Sequence, residues 1–191
     1  MDEHEAIQAL KRGDIGGLET LVTSYQVKAI RTAYLITRDS YLAQDVVQDV
    51  FLQVYRGIGR FDAGRRFEPW FMRSVVHTAL KAAQKTAKNI RVEAEDEESG
   101  LQRWLVAHDP APGEVSVEGQ VESTEAHDEI WQAMQDLSPR QRAVIVQRYF
   151  LEMSEKEMAE ELQTAPGTVK WLLNAARERL RKLLGVERSI Q

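Results

Sequence analysis

The chain contains no cysteine. That excludes a disulfide framework and any thiolate metal site, and it suits a reducing compartment. Proline and aromatic residues are also scarce, at five prolines and 7% aromatics, a composition that fits an all-helical protein. No apolar run approaches the roughly 18 residues that a membrane span needs, so no membrane insertion is expected. The opening segment MDEHEAIQALKRGD is acidic and lacks an apolar core, so the expected location is the cytoplasm. The four histidines, His4, His77, His108 and His127, are too scattered to outline a metal site. No glycine-rich phosphate cradle is present either, and the sequence predicts no catalytic residues, metal or cofactor.

What is present is charge, unevenly distributed. The 191 residues leave room for one medium domain or two small ones, with 43% apolar and 29% charged residues and a net charge of −5. That total conceals segregation. Arg56 to Arg91 carries nine Lys/Arg against Asp62 and Glu68, whereas Val92 to Glu129 carries twelve Asp/Glu against Arg103. Phosphate attraction acts within a Debye length of about 10 Å, so basic lobes on either side of an acidic middle can still hold DNA.

Periodicity predicts helices over Glu3–Arg12, over a longer stretch from Leu18 to Ile36, and over Tyr41–Arg56. In the third, Leu42, Val46, Val47, Val50, Phe51, Val54 and Tyr55 are the inward candidates. Asp45, Gln48, Asp49 and Gln53 are left outside, ordinarily a solvated face. Gly57-Ile58-Gly59 breaks this helix, and Pro69 is expected to open another running to Lys88. Around that opening, Phe61, Phe67, Trp70 and Phe71 interleave with Arg60, Arg65, Arg66, Arg73, Lys81 and Lys85. Such rings serve either as core or, among cations, as stacking platforms for single-stranded DNA. Arg91 to about Glu129 reads as a linker with an apolar island at Arg103-Trp104-Leu105-Val106.

From Ile130 helical patterning resumes, with Ile130, Met134 and Leu137 inward and Ser138-Pro139 capping a helix that carries Ala143, Val144, Val146 and Tyr149. Ser154 and Glu157 form the spacing of a capping box, and Gln163-Thr164-Ala165 is a turn. Pro166 then opens a helix with Val169, Leu173, Ala176, Leu180 and Leu183 on one face. Two helices joined by a tight turn, the second rich in Lys and Arg, describe a helix-turn-helix, and also describe a plain helical hairpin with a solvated basic side.

The wording of these segments narrows the choice. Leu137 to Arg142, Ser154 to Leu162, Gly167 to Lys170 and Ala176 to Leu180 together closely resemble the fourth conserved region of bacterial sigma factors, within the extracytoplasmic-function group. Ala43 to Tyr55 resembles the second conserved region of the same family. The resemblance implies an all-α chain of two helical domains joined by an acidic flexible linker. Residues 1–91 would be region 2, 92–129 the linker and 130–191 region 4. It implies an alternative sigma factor that binds core RNA polymerase through the β′ clamp and β flap and directs it to particular promoters. An anti-sigma factor is a partner typical of the group.

Residue by residue, the resemblance implies that Asp45, Gln48, Asp49 and Gln53 meet polymerase. Arg60, Phe61, Arg65, Arg66, Phe67, Arg73 and His77 would meet the −10 element, the loop capturing an extruded base. Thr168, Lys170, Trp171, Asn174 and Arg177 would meet the −35 element, with Trp171 placed either against thymine methyls or in half-buried packing. The chain departs from the family at His77, usually Asn, and at Lys81, often Asp. It departs again at Leu172, Asn174 and Ala175, where Arg or His is common, and at Gln163, usually Gly. Two other readings stand beside this one: a helix-turn-helix regulator acting without core polymerase, and a helical adaptor that binds protein only.

Overall fold

Each helix boundary follows from a local signal. The computed structural model describes residues 1–96 and 125–185, with side chains described over 1–88 and 129–185. Helix α1 (Glu3–Lys11) opens on a capping box between Asp2 and Glu5 and closes before Gly13, whose φ of 86° suits a residue without Cβ. Helix α2 (Gly16–Thr37) crosses it closely. A Cβ on Gly17 would lie 2.2 Å from the carbonyl oxygen of Ala6, so only glycine permits this approach. Arg38 ends α2 in the left-handed region, and the carboxylate of Asp39 then accepts from the amide of Leu42 to cap α3 (Ser40–Gly57). A 3-10 turn over Ile58–Arg60 follows, as the glycines on either side of Ile58 foretell.

Helix α4 (Phe67–Asp96) begins two residues before Pro69. Pro69 therefore sits within the first turn, where amides lack intrahelical partners and a missing N–H costs no bond. The helix also continues past Lys88 into the acidic run read as linker. Glutamate and alanine are good helix formers, and polarity alone does not end a helix. The apolar island at Arg103–Val106 lies outside the described residues. Helix α5 (Glu125–Gln135) likewise begins before Ile130.

The second group comprises α5, α6 (Pro139–Ile145), a π turn over Val146–Phe150, α7 (Glu155–Glu161) and α8 (Pro166–Leu183). Capping boxes at Ser138/Gln141 and Ser154/Glu157 start α6 and α7, whereas Ala165 offers α8 no side-chain cap. Gln163 takes the glycine-like place in the turn with a φ of 49°. The described residues are helical apart from turns, and the fold class is all-α.

Helices α1 to α4 pack around Leu21, Ala29, Ile36, Val50, Phe51, Val54, Phe71 and Val75. The second core gathers Val144, Met158, Val169, Leu173 and Ala176. Some expected inward positions face out. Tyr55 near the end of α3, Ile130 in the middle of α5 and Tyr149 in the π turn are exposed, on faces that the neighbouring helices leave largely open. Ala43 and Trp131 take inward places in α3 and α5. The two groups are joined by a seam in which α2 and α4 pack on α6, and α2 also meets the π turn.

Candidate nucleic-acid and polymerase interfaces

The α3 row forms as its spacing requires. Val46, Val47, Val50 and Val54 turn into the core, and steps of three and four residues leave Asp45, Gln48, Asp49 and Gln53 exposed together. Beside them a groove of ≈ 320 Å³ runs between α2 and α3, lined in part by Val22, Ile30, Gln48, Phe51 and Leu52. Leu52, 47% exposed, adds an apolar edge to an acidic and amide-rich surface. Such a face can give a cationic helix both charge-assisted hydrogen bonds and apolar contact.

The loop before α4 divides its residues by type. Phe61 and Phe67 are buried, at 5% and 0% exposure, within an aromatic cluster that also holds Tyr25, Trp70 and Phe71. Neither ring is exposed in this structure, whereas the sequence reading expects both at the −10 element. Their apolar bulk packs the loop from inside against the neighbouring rings. Lys11 donates to the Phe61 carbonyl (2.6 Å), and the carboxylate of Asp62 accepts from the amide of Gly64 (3.0 Å). Arg60, Arg65 and Arg66 remain on the surface, Arg65 within 3.6 Å of Asp62. Glu68, nearest Arg66 at 4.0 Å, is bound more closely by Lys28 at 2.5 Å.

One helical turn on, Arg73 and His77 lie on the same side of α4, both partly covered. Burial, and then the charge of Lys81, lower the pKa of His77, so its ring favours the neutral form. Arg73 is engaged: its Nη2 lies 3.6 Å from Oε1 of Glu157 on α7.

On α8, Val169, Leu172, Leu173 and Ala176 are buried, and Thr168, Lys170, Trp171 and Asn174 are exposed. Trp171 is 66% exposed, which removes the half-buried alternative. Leu172, at which the sequence reading notes a departure from the family, belongs to the core and lies off the exposed row. Arg177 is less free than its neighbours: its Nε donates to the Tyr149 hydroxyl (2.8 Å) and its guanidinium lies 5.7 Å from that ring's centre. The row therefore presents an indole, an amide, a hydroxyl and an ammonium at the spacing a major groove accepts.

Sequence reasoning missed the seam residues. Arg142, 5% exposed, donates from Nε to the Ile36 carbonyl (2.8 Å) and from Nη1 to the Leu137 carbonyl. Burial, then the charge of Arg38, lower its pKa to about 10. A cation directly beside the apolar run Ala143-Val144-Ile145-Val146 was its only signal in the sequence. Tyr34 and Trp131 stack across the same seam with centroids 5.2 Å apart.

Among the described residues no helix is long and apolar enough to cross a membrane, and no group of His, Cys, Asp and Glu is arranged to hold a metal. Two family patterns match the chain: Sigma-70 region 2 over residues 21–89 and Sigma-70, region 4 over residues 127–180. The RNA polymerase sigma-E factor of Streptomyces antibioticus is 30% identical over 183 residues, 92% of this chain and 88% of that protein. The ECF RNA polymerase sigma factor SigW of Bacillus subtilis is 29% identical over 178 residues, 93% of this chain and 94% of its own. Two solved structures share the fold. CnrH, in complex with the cytosolic domain of CnrY, aligns with a TM-score of 0.58 at 19% identity, covering 97% of this chain and 99% of its own. The sigma factor RpoE of Bartonella quintana, in complex with the anti-sigma factor NepR, aligns at 0.57 and 19% identity, covering 89% and 98%. With both regions matched in order and the helical fold in place, this chain belongs to the sigma-70 family of RNA polymerase sigma factors, in its extracytoplasmic-function group.

Proposed function

We propose that this chain works as an alternative sigma factor through three separate surfaces. It binds core RNA polymerase and directs promoter-specific initiation of transcription, acting in the cytoplasm as an initiation factor and not through a reaction of its own. Residues 1–91 form the unit that binds core and handles the −10 element, 92–129 the tether, and 130–191 the unit that reads the −35 element. The observation that carries this reading is the pairing of an exposed acidic and amide row on α3 with an exposed reading row on α8.

Asp45, Gln48, Asp49 and Gln53 meet basic side chains of the β′ clamp, where charge-assisted hydrogen bonds set the register. Arg60, Arg65, Arg66 and Arg73 track phosphates of the melted strand, with His77 beside them as a neutral donor or acceptor. Phe61 and Phe67 hold the loop from inside. Thr168, Lys170, Trp171 and Asn174 enter the major groove, with Asn174 suited to adenine and Trp171 to thymine methyls. Arg177, tied to Tyr149, supplies a phosphate contact at the edge. The region 4 unit meets the β flap, and an anti-sigma factor is the expected inhibitor. Run-off transcription with purified core polymerase tests the reading. Specific starts that require both core and this chain are expected. Duplex binding without core-dependent starts would instead indicate a regulator acting alone.

A further inference from the structure

Helix α1 precedes the Sigma-70 region 2 pattern, which begins at residue 21, and the surfaces proposed above make no use of it. It is nevertheless fastened to both ends of the loop before α4. In its last turn, Lys11 reaches across 50 positions and donates from Nζ to the Phe61 carbonyl (2.6 Å). Phe61 is where the chain leaves the 3-10 turn and becomes extended, with φ −69° and ψ 128°. In the first turn of α1, the carboxylate of Glu3 accepts from the Tyr25 hydroxyl. The Tyr25 ring packs on Phe67, centroids 5.5 Å apart, where the loop enters α4. Burial, and then the bond to Glu3, raise the pKa of Tyr25, so the phenol keeps its proton and donates.

The position of α1 is itself tightly set. Ala6, Ile7 and Leu10 are buried, and the crossing with α2 admits no Cβ at Gly17. At 1.5 Å per residue the helix is about 14 Å long, so its two attachments lie well apart while Phe61 and Phe67 meet edge to face at 5.6 Å. Between those rings the loop closes on Asp62, whose carboxylate accepts from the Gly64 amide and whose carbonyl accepts from the Arg65 amide, both at 3.0 Å. Arg60, Arg65 and Arg66 are left pointing outward.

We propose that α1 is a splint for this loop, and that Lys11 is a positioning residue for strand capture: it touches no DNA but holds the Phe61 end so that the three arginines are displayed in one fixed arrangement. The proposal rests on the reading of the loop as the −10 contact. A cationic donor holds a carbonyl more firmly than a neutral one. A loop already ordered at both ends also has less freedom to lose when a strand binds.

Two variants test this on the full chain. Lys11→Met keeps an unbranched side chain and removes the donor, whereas Lys11→Arg keeps a cationic donor. Hydrogen exchange read by mass spectrometry should show amides of residues 58–66 exchanging about tenfold faster in Lys11→Met, at the parent's rate in Lys11→Arg, with α2 and α3 unchanged in both. On the run-off template, Lys11→Met should bind core polymerase as the parent does and form open complexes about tenfold more slowly. Lys11→Arg should restore the rate. An unaltered loop in Lys11→Met, a loosened loop with parental opening, or a defect that Lys11→Arg does not repair would overturn the splint. Faster exchange throughout α1 and α2 would overturn it too, since that marks a general role in stability. A parent that fails to initiate counts against the sigma function, while loop exchange still decides the splint, so the two are separable.

Discussion

The guanidinium of Arg142 donates from Nε to the carbonyl oxygen of Ile36, 2.8 Å away and 106 positions earlier in the chain. Ile36 lies in the last turn of α2, where carbonyls lack intrahelical donors, so the bond satisfies a helix end with a cation. A second bond to the Leu137 carbonyl ties the same side chain to the start of its own lobe. Arg142→Met keeps much of the volume and strands both carbonyls. It should lower unfolding stability by about 2–3 kcal/mol, read as a reduced urea midpoint at unchanged slope.

Gln147 presents the opposite case. Its amide is buried and finds no partner among the described residues, so replacing it with an apolar residue of similar size loses no hydrogen bond seen there. Gln147→Leu should therefore raise stability by about 1 kcal/mol, measured in the same urea titration. A clear loss would mean that the amide is satisfied in solution.

The loop before α4 separates rings from cations. Phe67→Ala should destabilise the fold by about 3–5 kcal/mol because it empties a cluster of four other aromatic rings. Arg65→Gln with Arg66→Gln should leave the thermal midpoint nearly unchanged and weaken binding of a melted −10 segment. Comparison of thermal unfolding with strand-binding isotherms for the two variants separates shaping from contact.

Charge reversal on α3 tests the proposed polymerase face. Asp45→Lys with Asp49→Lys lies on exposed positions and should leave the helix folded. Binding of core polymerase should fall by about a hundredfold or more, since attraction is exchanged for repulsion at both sites. Native gel titration with core polymerase reads the change. On α8, Lys170→Gln should reduce the salt slope of duplex binding by about one, without altering sequence preference.

His77 makes stability sensitive to acid. Burial and Lys81 hold its pKa below the ordinary 6.5, so the unfolded chain takes up this proton first as pH falls. Stability should decline from pH 6.5 down to the folded pKa of the ring. An NMR titration of His77 should give a midpoint below 6.5, and His77→Gln should flatten the decline in urea midpoint across that window.

Much of the architecture was written in local chemistry. Ser138 and Ser154 announced their helices because an N-cap needs only a short polar side chain and the next few amides. The α3 row and the α8 row followed from periodicity, which any helix with one buried face must obey. Exposure was less legible. Tyr55, Ile130 and Tyr149 carry the right apolar character for a core, but whether a distant helix covers each of them is not a local matter.

What the order of residues determined by itself is the helical content, the starts of α3, α6 and α7, the three candidate surfaces and the family resemblance. Each depends on neighbours within one or two turns. Only the tertiary structure decided that Phe61 and Phe67 are core and that Glu157 of α7 lies against Arg73 of α4. Those outcomes turn on contacts between residues far apart in the chain, where burial and desolvation set the energy and no spacing rule applies.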